Sequence, residues 1–176
     1  LGQQTYVPDD NFEQKLIYLG YDDVLDNYVT TANINTVTEL ILLSTGTFDL
    51  TGIEDFTALS SLKLVDENQL TTLDLSQNTA LTELSCWDNQ LTSIDVSANV
   101  NLEVLQCENN QLTSLDVSGA TALTHLYCDN NQLTSLDVSG AALMTLECYN
   151  NQLTSLDVSG ATALTRLECY NNQLTS

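Results

Sequence analysis

Apolar residues in the C-terminal half of the chain recur at short, strand-like spacings rather than at a helical period. In the segment 102–112 they fall at Leu102, Leu105, Cys107 and Leu112. The Leu105-x-Cys107 step alternates as in a short strand, so both side chains are expected to point inward. No 3.6-residue pattern appears in the unit. We therefore predict that it is mostly extended, with turns at its Asn-Asn and Ser-Gly steps.

The same unit occurs five times from residue 81 to the end of the chain, without linkers, and the last copy is incomplete. Successive copies are 21 residues apart, with one interval of 20, as shown by the cysteines Cys86, Cys107, Cys128, Cys148 and Cys169. A repeat of this length cannot bury its own apolar face, so the copies must stack. Stacking in register places equivalent residues about 4.8 Å apart, the strand spacing of a sheet.

The pattern L-x-x-L-x-C-x-x-N-x-L resembles the leucine-rich-repeat signature, with cysteine in place of the usual third leucine. Two looser copies, at 37–42 and 59–64, extend the resemblance over residues 37–176. Between them, the segment 50–59 resembles the internalin type of bacterial repeat. Thr45 stands where asparagine is expected and Asn68 comes one residue late, so irregular turns are expected there. The opening segment 6–16 is similar to the N-terminal module of secreted bacterial leucine-rich-repeat proteins.

This resemblance implies the fold class and the kind of protein. The expected fold is a leucine-rich-repeat solenoid that is right-handed and curved, with a parallel β-sheet on its concave face and a mostly extended convex side. Relatives of this kind are commonly secreted or cell-surface proteins that bind other molecules. The resemblance thus implies a secreted or cell-surface bacterial protein with a role in protein binding, carbohydrate binding or adhesion.

The N-terminal part, residues 1–36, is expected to hold a leader remnant and a helical cap, and residues 37–176 about seven coils, the last truncated. Asp9 or Asp10 can act as the N-cap of the helix, and Gly20 is a plausible end. The face that would shield the first coil from water contains Phe12, Leu16 and Leu19.

At the other end, the last coil is expected to present an unpaired apolar edge, formed by Leu164, Leu167, Cys169 and Leu174. Open sheet edges promote association between chains. We therefore expect either that the natural protein is longer or that this chain associates with itself through the edge.

Charge narrows the range of partners. The formal net charge is -21, and Lys15, Lys63 and Arg166 are the only strong bases. Such a chain repels the phosphates of nucleic acids and anionic membrane surfaces, and it favours neutral or basic ligands. No apolar run approaches the roughly 20 residues needed to span a bilayer, so membrane insertion is not expected.

Three residue types repeat in every copy, and a structural role is the preferred interpretation for each. The cysteines, in one straight row, suit core filling better than disulfide or zinc geometry. A buried asparagine row is expected to satisfy backbone groups: Asn89, Asn110, Asn131, Asn151 and Asn172. An outward acidic row is interpreted as a solvated face: Asp74, Asp95, Asp116, Asp137 and Asp157. Binding of calcium, mineral or ice by this row is an open alternative, and Asp22, Asp23 and Asp26 form a second acidic cluster.

The positions that differ between copies are concentrated on the outward side of the Leu-x-Cys strand. The candidate ligand-binding residues are Glu83, Ser85, Trp87, Gln106, Glu108, His125, Tyr127, Asp129, Glu147, Tyr149, Arg166, Glu168 and Tyr170. Val104 and Thr145 complete the set of outward positions. Aromatic and arginine side chains are enriched in binding hot spots, and aromatic rings also stack on sugars. Drift of ordinary surface residues is the competing interpretation.

These observations favour a non-enzymatic recognition module that binds a protein, peptide or glycan through its concave face. A passive spacer carrying other domains is the alternative, because near-identical copies lengthen a stalk without forming a site. The sequence holds one histidine, no nucleophile-base pairing and no phosphate-binding glycine loop, so an enzyme is not expected. No cofactor or metal is predicted.

Overall fold

Seven parallel strands, one in each coil, form the main sheet of the protein. The computed structural model describes residues 2–65 and 69–175; the expected turn at Asn68 lies outside them. The strands pair in sequence order: β3 (Glu39–Leu43), β4 (Ser61–Val65), β5 (Glu83–Ser85), β6 (Val104–Gln106), β7 (His125–Tyr127), β8 (Thr145–Glu147) and β9 (Arg166–Glu168). The register aligns the central leucines of all seven strands, from Leu40 to Leu167. The chain is thus the expected solenoid with a parallel sheet.

The core runs through the stack as continuous rows of equivalent side chains. Most leucines of the repeats and the first four cysteines are buried in one cluster, and Cys169 in the last coil is half-buried. The thiols of Cys86 and Cys107 donate to backbone carbonyls of the next coil, at 3.5 and 3.4 Å. Burial raises the pKa of the Cys107 thiol well above its usual range. All five cysteines are free thiols, in agreement with the core-filling interpretation.

Each Asn-Asn step forms the turn that ends the strand. The first residue, such as Asn130 with φ 52°, takes the left-handed conformation that asparagine tolerates better than most residues. The second residue, such as Asn131, is buried and bonds to the backbone on all sides. Its Nδ2 donates to the carbonyls of Cys107 and Cys128 at 3.0 and 3.2 Å, and its Oδ1 accepts from the Leu112 amide at 3.0 Å. The predicted backbone role of the asparagine row is confirmed.

The acidic row on the far side of each coil takes part in local turns. The Oδ1 atom of Asp116 accepts from the backbone amide of Ser118 at 2.9 Å, and Asp74, Asp95, Asp137 and Asp157 repeat this contact. These side chains are exposed, as expected. Hydrogen bonds from the serines lower the pKa of each carboxyl group. The row therefore has a structural function in shaping the turn.

The N-terminal part covers the first coil. Asp9 is the N-cap of helix α1 (Asp10–Tyr18), and its Oδ1 accepts from the amides of Asn11 and Phe12, both at 2.9 Å. Its Oδ2 accepts from the amides of Phe48 and Asp49, so the same carboxylate ties the helix to the repeats. The Phe12 ring stacks on Phe56 with the centroids 6.2 Å apart. The helical cap is therefore packed into the same core as the coils.

Three short elements of this part were not predicted. Strand β1 (Gln4–Tyr6) pairs antiparallel with β2 (Tyr28–Thr30), and a four-residue helix α2 (Thr31–Ile34) follows. A 3-10 turn lies at Ile53–Asp55, between β3 and β4. Strand β1 thus begins four residues into the sequence. The leader remnant and the division at residue 36 stay predictions. Among the described residues, no helix has the length and hydrophobicity to cross a membrane.

Candidate functional site

The variable positions form three rows across the outward side of β5 to β9. The first row contains Glu83, Val104, His125, Thr145 and Arg166. The second row contains Ser85, Gln106, Tyr127, Glu147 and Glu168. The third row, just beyond the buried cysteines, contains Trp87, Glu108, Asp129, Tyr149 and Tyr170. We call these three rows the sheet face.

The third row stays in register although its residues follow the strands. The amide of Asn109 donates to the carbonyl of Asp129 at 3.1 Å, and the amide of Asn130 donates to the carbonyl of Tyr149 at the same distance. The flanking coils repeat this ladder. Equivalent side chains of the third row therefore lie side by side. Its ends, Trp87 and Tyr170, are four coils apart, or roughly 19 Å at the spacing of neighbouring strands.

Several residues of the sheet face are more deeply packed than their outward position suggests. Ser85, Asp129 and Glu147 are only 2%, 3% and 9% exposed, whereas Tyr170 is 54% exposed. The hydroxyl of Ser85 lies 2.6 Å from Oε1 of Gln106 in the next coil and donates to it. These residues point outward as predicted, but Gln106, Tyr149 and Arg166 of the next coils contact Ser85, Asp129 and Glu147 respectively and reduce their exposure.

One arginine joins the last two coils. Nη2 of Arg166 lies 3.1 Å from Oε1 of Glu147 and 2.8 Å from Oε1 of Glu168. Its Nε also donates to Glu168 at 3.1 Å. The guanidinium therefore bridges two carboxylates of adjacent coils. Burial raises the pKa of Glu147, and the nearby Arg166 opposes that shift.

Two tyrosines of the third row stack on each other. The Tyr149 and Tyr170 rings are 4.6 Å apart at their centroids and nearly parallel, with an interplanar angle of 6°. The Tyr149 hydroxyl donates to the carboxylate of Asp129, which raises the pKa of Tyr149 to about 12. The Tyr149 ring is thus held on both sides, by a ring and by a carboxylate.

Glu108, near the middle of the third row, is poorly compensated. Its Oε2 atom has no solvent contact and no hydrogen-bond partner among the described residues. Burial first, and then the charges of Asp129, Asp88 and Glu147, raise the pKa of Glu108 to about 7. Burial also raises the pKa of Asp129. Burial therefore disfavours the ionised form of both central acids of the sheet face, and neighbouring negative charges add to this effect.

Sequence reasoning missed Lys63 as part of this surface. Its Nζ lies 3.3 Å from Oε1 of Glu83, and it stands opposite Ser85 in the register, so it continues the second row onto β4. Ser61 on the same strand donates to Oε2 of Glu83 at 3.0 Å. The alternation of Leu62 and Leu64 does indicate that Lys63 points outward. This looser copy, however, lacks the cysteine by which the later strands were recognised.

Comparison with known proteins identifies the repeat. The family model described as Leucine Rich repeats (2 copies) matches residues 79–119 and 100–141. The functional domain of InlJ from Listeria monocytogenes, described as including a cysteine ladder, is 36% identical with a TM-score of 0.79. That match covers 99% of this chain. The chain is an internalin-like leucine-rich-repeat protein. It spans 44% of the length of the InlJ domain.

Two further internalins of Listeria monocytogenes support the fold alone. Internalin C2 is 23% identical with a TM-score of 0.68, over 100% of this chain and 92% of its own length. InlF is 24% identical with a TM-score of 0.65, over 97% of this chain and 58% of its own length. No curated protein sequence matches the chain. These comparisons assign no ligand to the sheet face.

Proposed function

We propose that this internalin-like protein is a non-enzymatic recognition module that binds another protein or peptide through the sheet face. Modules of the internalin-like repeat type are in general protein-interaction modules, which supports a protein ligand over a glycan. We further propose that it acts outside the cell or at its surface, where internalin-like neighbours are typically found.

The observation that carries this proposal is the concentration of variable residues on one ordered surface. The buried rows of leucine, cysteine and asparagine are nearly the same in every coil, whereas the three outward rows differ from coil to coil. Trp87, Tyr127 and Tyr149 are half-buried in this surface rather than freely mobile. Aromatic side chains that are held in place lose little entropy on binding, which makes them effective contact residues.

Alanine substitution of the three aromatics tests the proposal. Wild-type protein is screened on peptide and glycan arrays, and the strongest hit is measured against Trp87→Ala, Tyr127→Ala and Tyr149→Ala. Each substitution is expected to weaken capture by about tenfold or more, the effect of losing a hot-spot residue. Tyr18→Ala is the matched control, because Tyr18 is an exposed aromatic residue on α1, away from the sheet face.

The alternative function, a passive spacer, predicts a different result. A spacer would show no hit on the arrays, or capture that none of the three substitutions changes. A hit confined to glycans would keep the sheet face as the binding site and replace the protein ligand with a sugar. Circular dichroism of each variant checks that the stack remains folded.

A further inference from the structure

The sheet face carries negative charge that the chain itself does not neutralise. Four consecutive coils each place one carboxylate on it: Glu108, Asp129, Glu147 and Glu168. Arg166 compensates the last two. Of the other strong bases, Lys63 pairs with Glu83 and Lys15 lies over the Tyr18 ring in the cap. Within residues 2–65 and 69–175, therefore, no lysine or arginine pairs with the first two carboxylates.

These two carboxylates are also packed against protein. Asp129 is 3% exposed, and it accepts from Nδ2 of Asn130 at 2.6 Å and from the Tyr149 hydroxyl. The Oε2 atom of Glu108 has no solvent contact and no hydrogen-bond partner within the part of the chain that the structure describes. Carboxylates packed close together without a compensating cation are costly, and a cation placed at the accessible part of Glu108 would reduce that cost.

Arg166 shows how a guanidinium group binds to carboxylates on the sheet face. Its guanidinium contacts the glutamate two residues later, Glu168, and the equivalent residue of the preceding coil, Glu147. Asp129 and Glu108 have the same relation, since they occupy equivalent places in adjacent coils. The residue two positions before Asp129 is Tyr127, which carries no positive charge. The third row, just beyond the strands, thus also pairs two carboxylates of adjacent coils, but without an arginine beside them.

Aromatic residues stand on both sides of the acidic pair. Along the third row the order is Trp87, Glu108, Asp129, Tyr149, one residue for each coil. Neighbouring coils are about 4.8 Å apart, so a cation seated on the pair lies within reach of both rings. Aromatic faces attract ammonium and guanidinium groups, tryptophan most strongly. The row therefore offers two kinds of contact that select a cation.

We propose that Glu108 and Asp129 form an anchor site for one lysine or arginine side chain of a protein ligand, flanked by Trp87 and Tyr149. This inference rests on the proposed function, because it names the chemistry of the ligand that docks on the sheet face. A net charge of -21 draws basic segments to the protein and repels acidic ones. The ligand is accordingly a protein with an exposed basic segment.

Binding at this anchor should depend on pH. The titratable groups around Glu108 are Asp88, Asp129 and Glu147, with the thiols of Cys86, Cys107 and Cys128 beneath the sheet. The raised thiol pKa values keep all three cysteines neutral. With a pKa of about 7, Glu108 is partly protonated near neutral pH, and a bound cation favours its ionised form. Affinity is therefore expected to rise as the pH increases from about 6 to about 8.

The test uses a short glycine-serine peptide that carries two arginines, and the same peptide with neutral citrulline in their place. Fluorescence anisotropy at physiological salt is expected to show at least about tenfold tighter binding of the arginine peptide. The double variant Glu108→Gln/Asp129→Asn is expected to lose at least that factor and the pH dependence. The control Asp116→Asn/Asp137→Asn removes the same charge from the convex turns and should change binding by less than about twofold.

Several results would overturn the anchor. Equal binding of the two peptides, no binding, or the same loss in both double variants would show that no specific cation site exists. If the first double variant does not fold, Tyr127→Arg replaces it, since an internal arginine there should occupy the pair and block the peptide. Array capture that depends on Trp87 and Tyr149, without arginine-peptide binding, would reject the anchor and leave the proposed function standing.

Discussion

At the scale of single residues, each coil depends on side chains that satisfy backbone groups where the strand ends. The first asparagine of each Asn-Asn step provides a left-handed turn, and the second fills the space beneath it with hydrogen bonds. Asn131, for example, connects its own coil with the preceding one through three carbonyls and one amide. The strict repetition of this residue is therefore explained by backbone chemistry, without a ligand.

Asn131→Ala is expected to destabilise the protein by about 3 kcal/mol, because it leaves several buried backbone groups without partners. Urea unfolding followed by circular dichroism measures the loss. The neighbouring Gln132→Ala is the control, since Gln132 is exposed, and it should change the free energy of unfolding by less than about 0.5 kcal/mol. Equal effects of the two substitutions would contradict the role of the asparagine row.

The raised pKa of Glu108 also predicts how stability changes with pH. In the folded chain this group keeps its proton up to about pH 7, whereas the unfolded chain releases it near the ordinary value of 4.5. Its contribution to stability is therefore present below the unfolded pKa and is lost as the pH rises through about 7. Glu108→Gln should stabilise the protein at pH 8 by about 1 kcal/mol, reduced by partial solvent access. An unchanged melting temperature at pH 8 would argue against this environment.

Membership of the sheet face could be predicted from the sequence, but its packing could not. The Leu-x-Cys alternation places Tyr127 and Asp129 on the same outward side of their coil. It contains no information about the side chains of adjacent coils, which cover Asp129 and Glu147. The bridge between Arg166 and two coils likewise depends on register between residues about 20 apart in sequence.

At the scale of elements, the solenoid is closed at one end by a helix that is joined to the first coil. Asp9 is the key residue. One of its carboxylate oxygens caps the N-terminus of α1, and the other accepts hydrogen bonds from the backbone amides of residues 48 and 49. The sequence left Asp9 and Asp10 as equal candidates for the N-cap. Their difference arises from the tertiary contact with the repeats, which no local pattern contains.

Alanine substitutions of Asp9 and Asp10 are expected to lower the stability of the protein by clearly different amounts. Asp9→Ala should lower stability by about 2–4 kcal/mol, since it removes both the helix cap and the link to the first coil. Asp10→Ala, at an exposed position in the first turn of the helix, should cost less than about 1 kcal/mol. Thermal unfolding compares the two. A larger loss for Asp10→Ala would show that the cap is arranged differently.

Short elements in the N-terminal part were missed for a physical reason. A three-residue strand such as β1 spans barely one alternation, so periodicity cannot distinguish it from a loop. Its pairing with β2 also joins residues that are far apart in the sequence, such as Gln4 and Thr30, which are 26 positions apart. The later strands are equally short, and repetition alone made them recognisable.

At the scale of the whole molecule, the two ends of the described sheet differ, because the N-terminal part covers the first coil and β9 forms the other edge. Strand β9 is at the edge of the seven-stranded sheet, and Leu167, Tyr170 and Leu174 of the last coil are 39% to 54% exposed. The 176-residue chain is therefore expected to associate with itself through this edge.

Light scattering on a concentration series tests the association. Leu174→Lys should shift the 176-residue chain toward the monomer, because a charge on an edge opposes pairing. The control Val100→Lys alters a residue of similar exposure, four strands from the edge strand β9, and should leave the distribution unchanged. A strict monomer at every concentration would contradict the prediction.

The central claim is that recognition takes place on the sheet face. Chemical-shift mapping of the isotope-labelled protein with the strongest array hit tests it most directly. We predict perturbations confined to segments 83–88, 104–109, 125–130, 145–150 and 166–171, largest around Glu108 and Asp129. Perturbations centred on the exposed turns at Asp116 and Asp137, or on the helix α1, would contradict the claim.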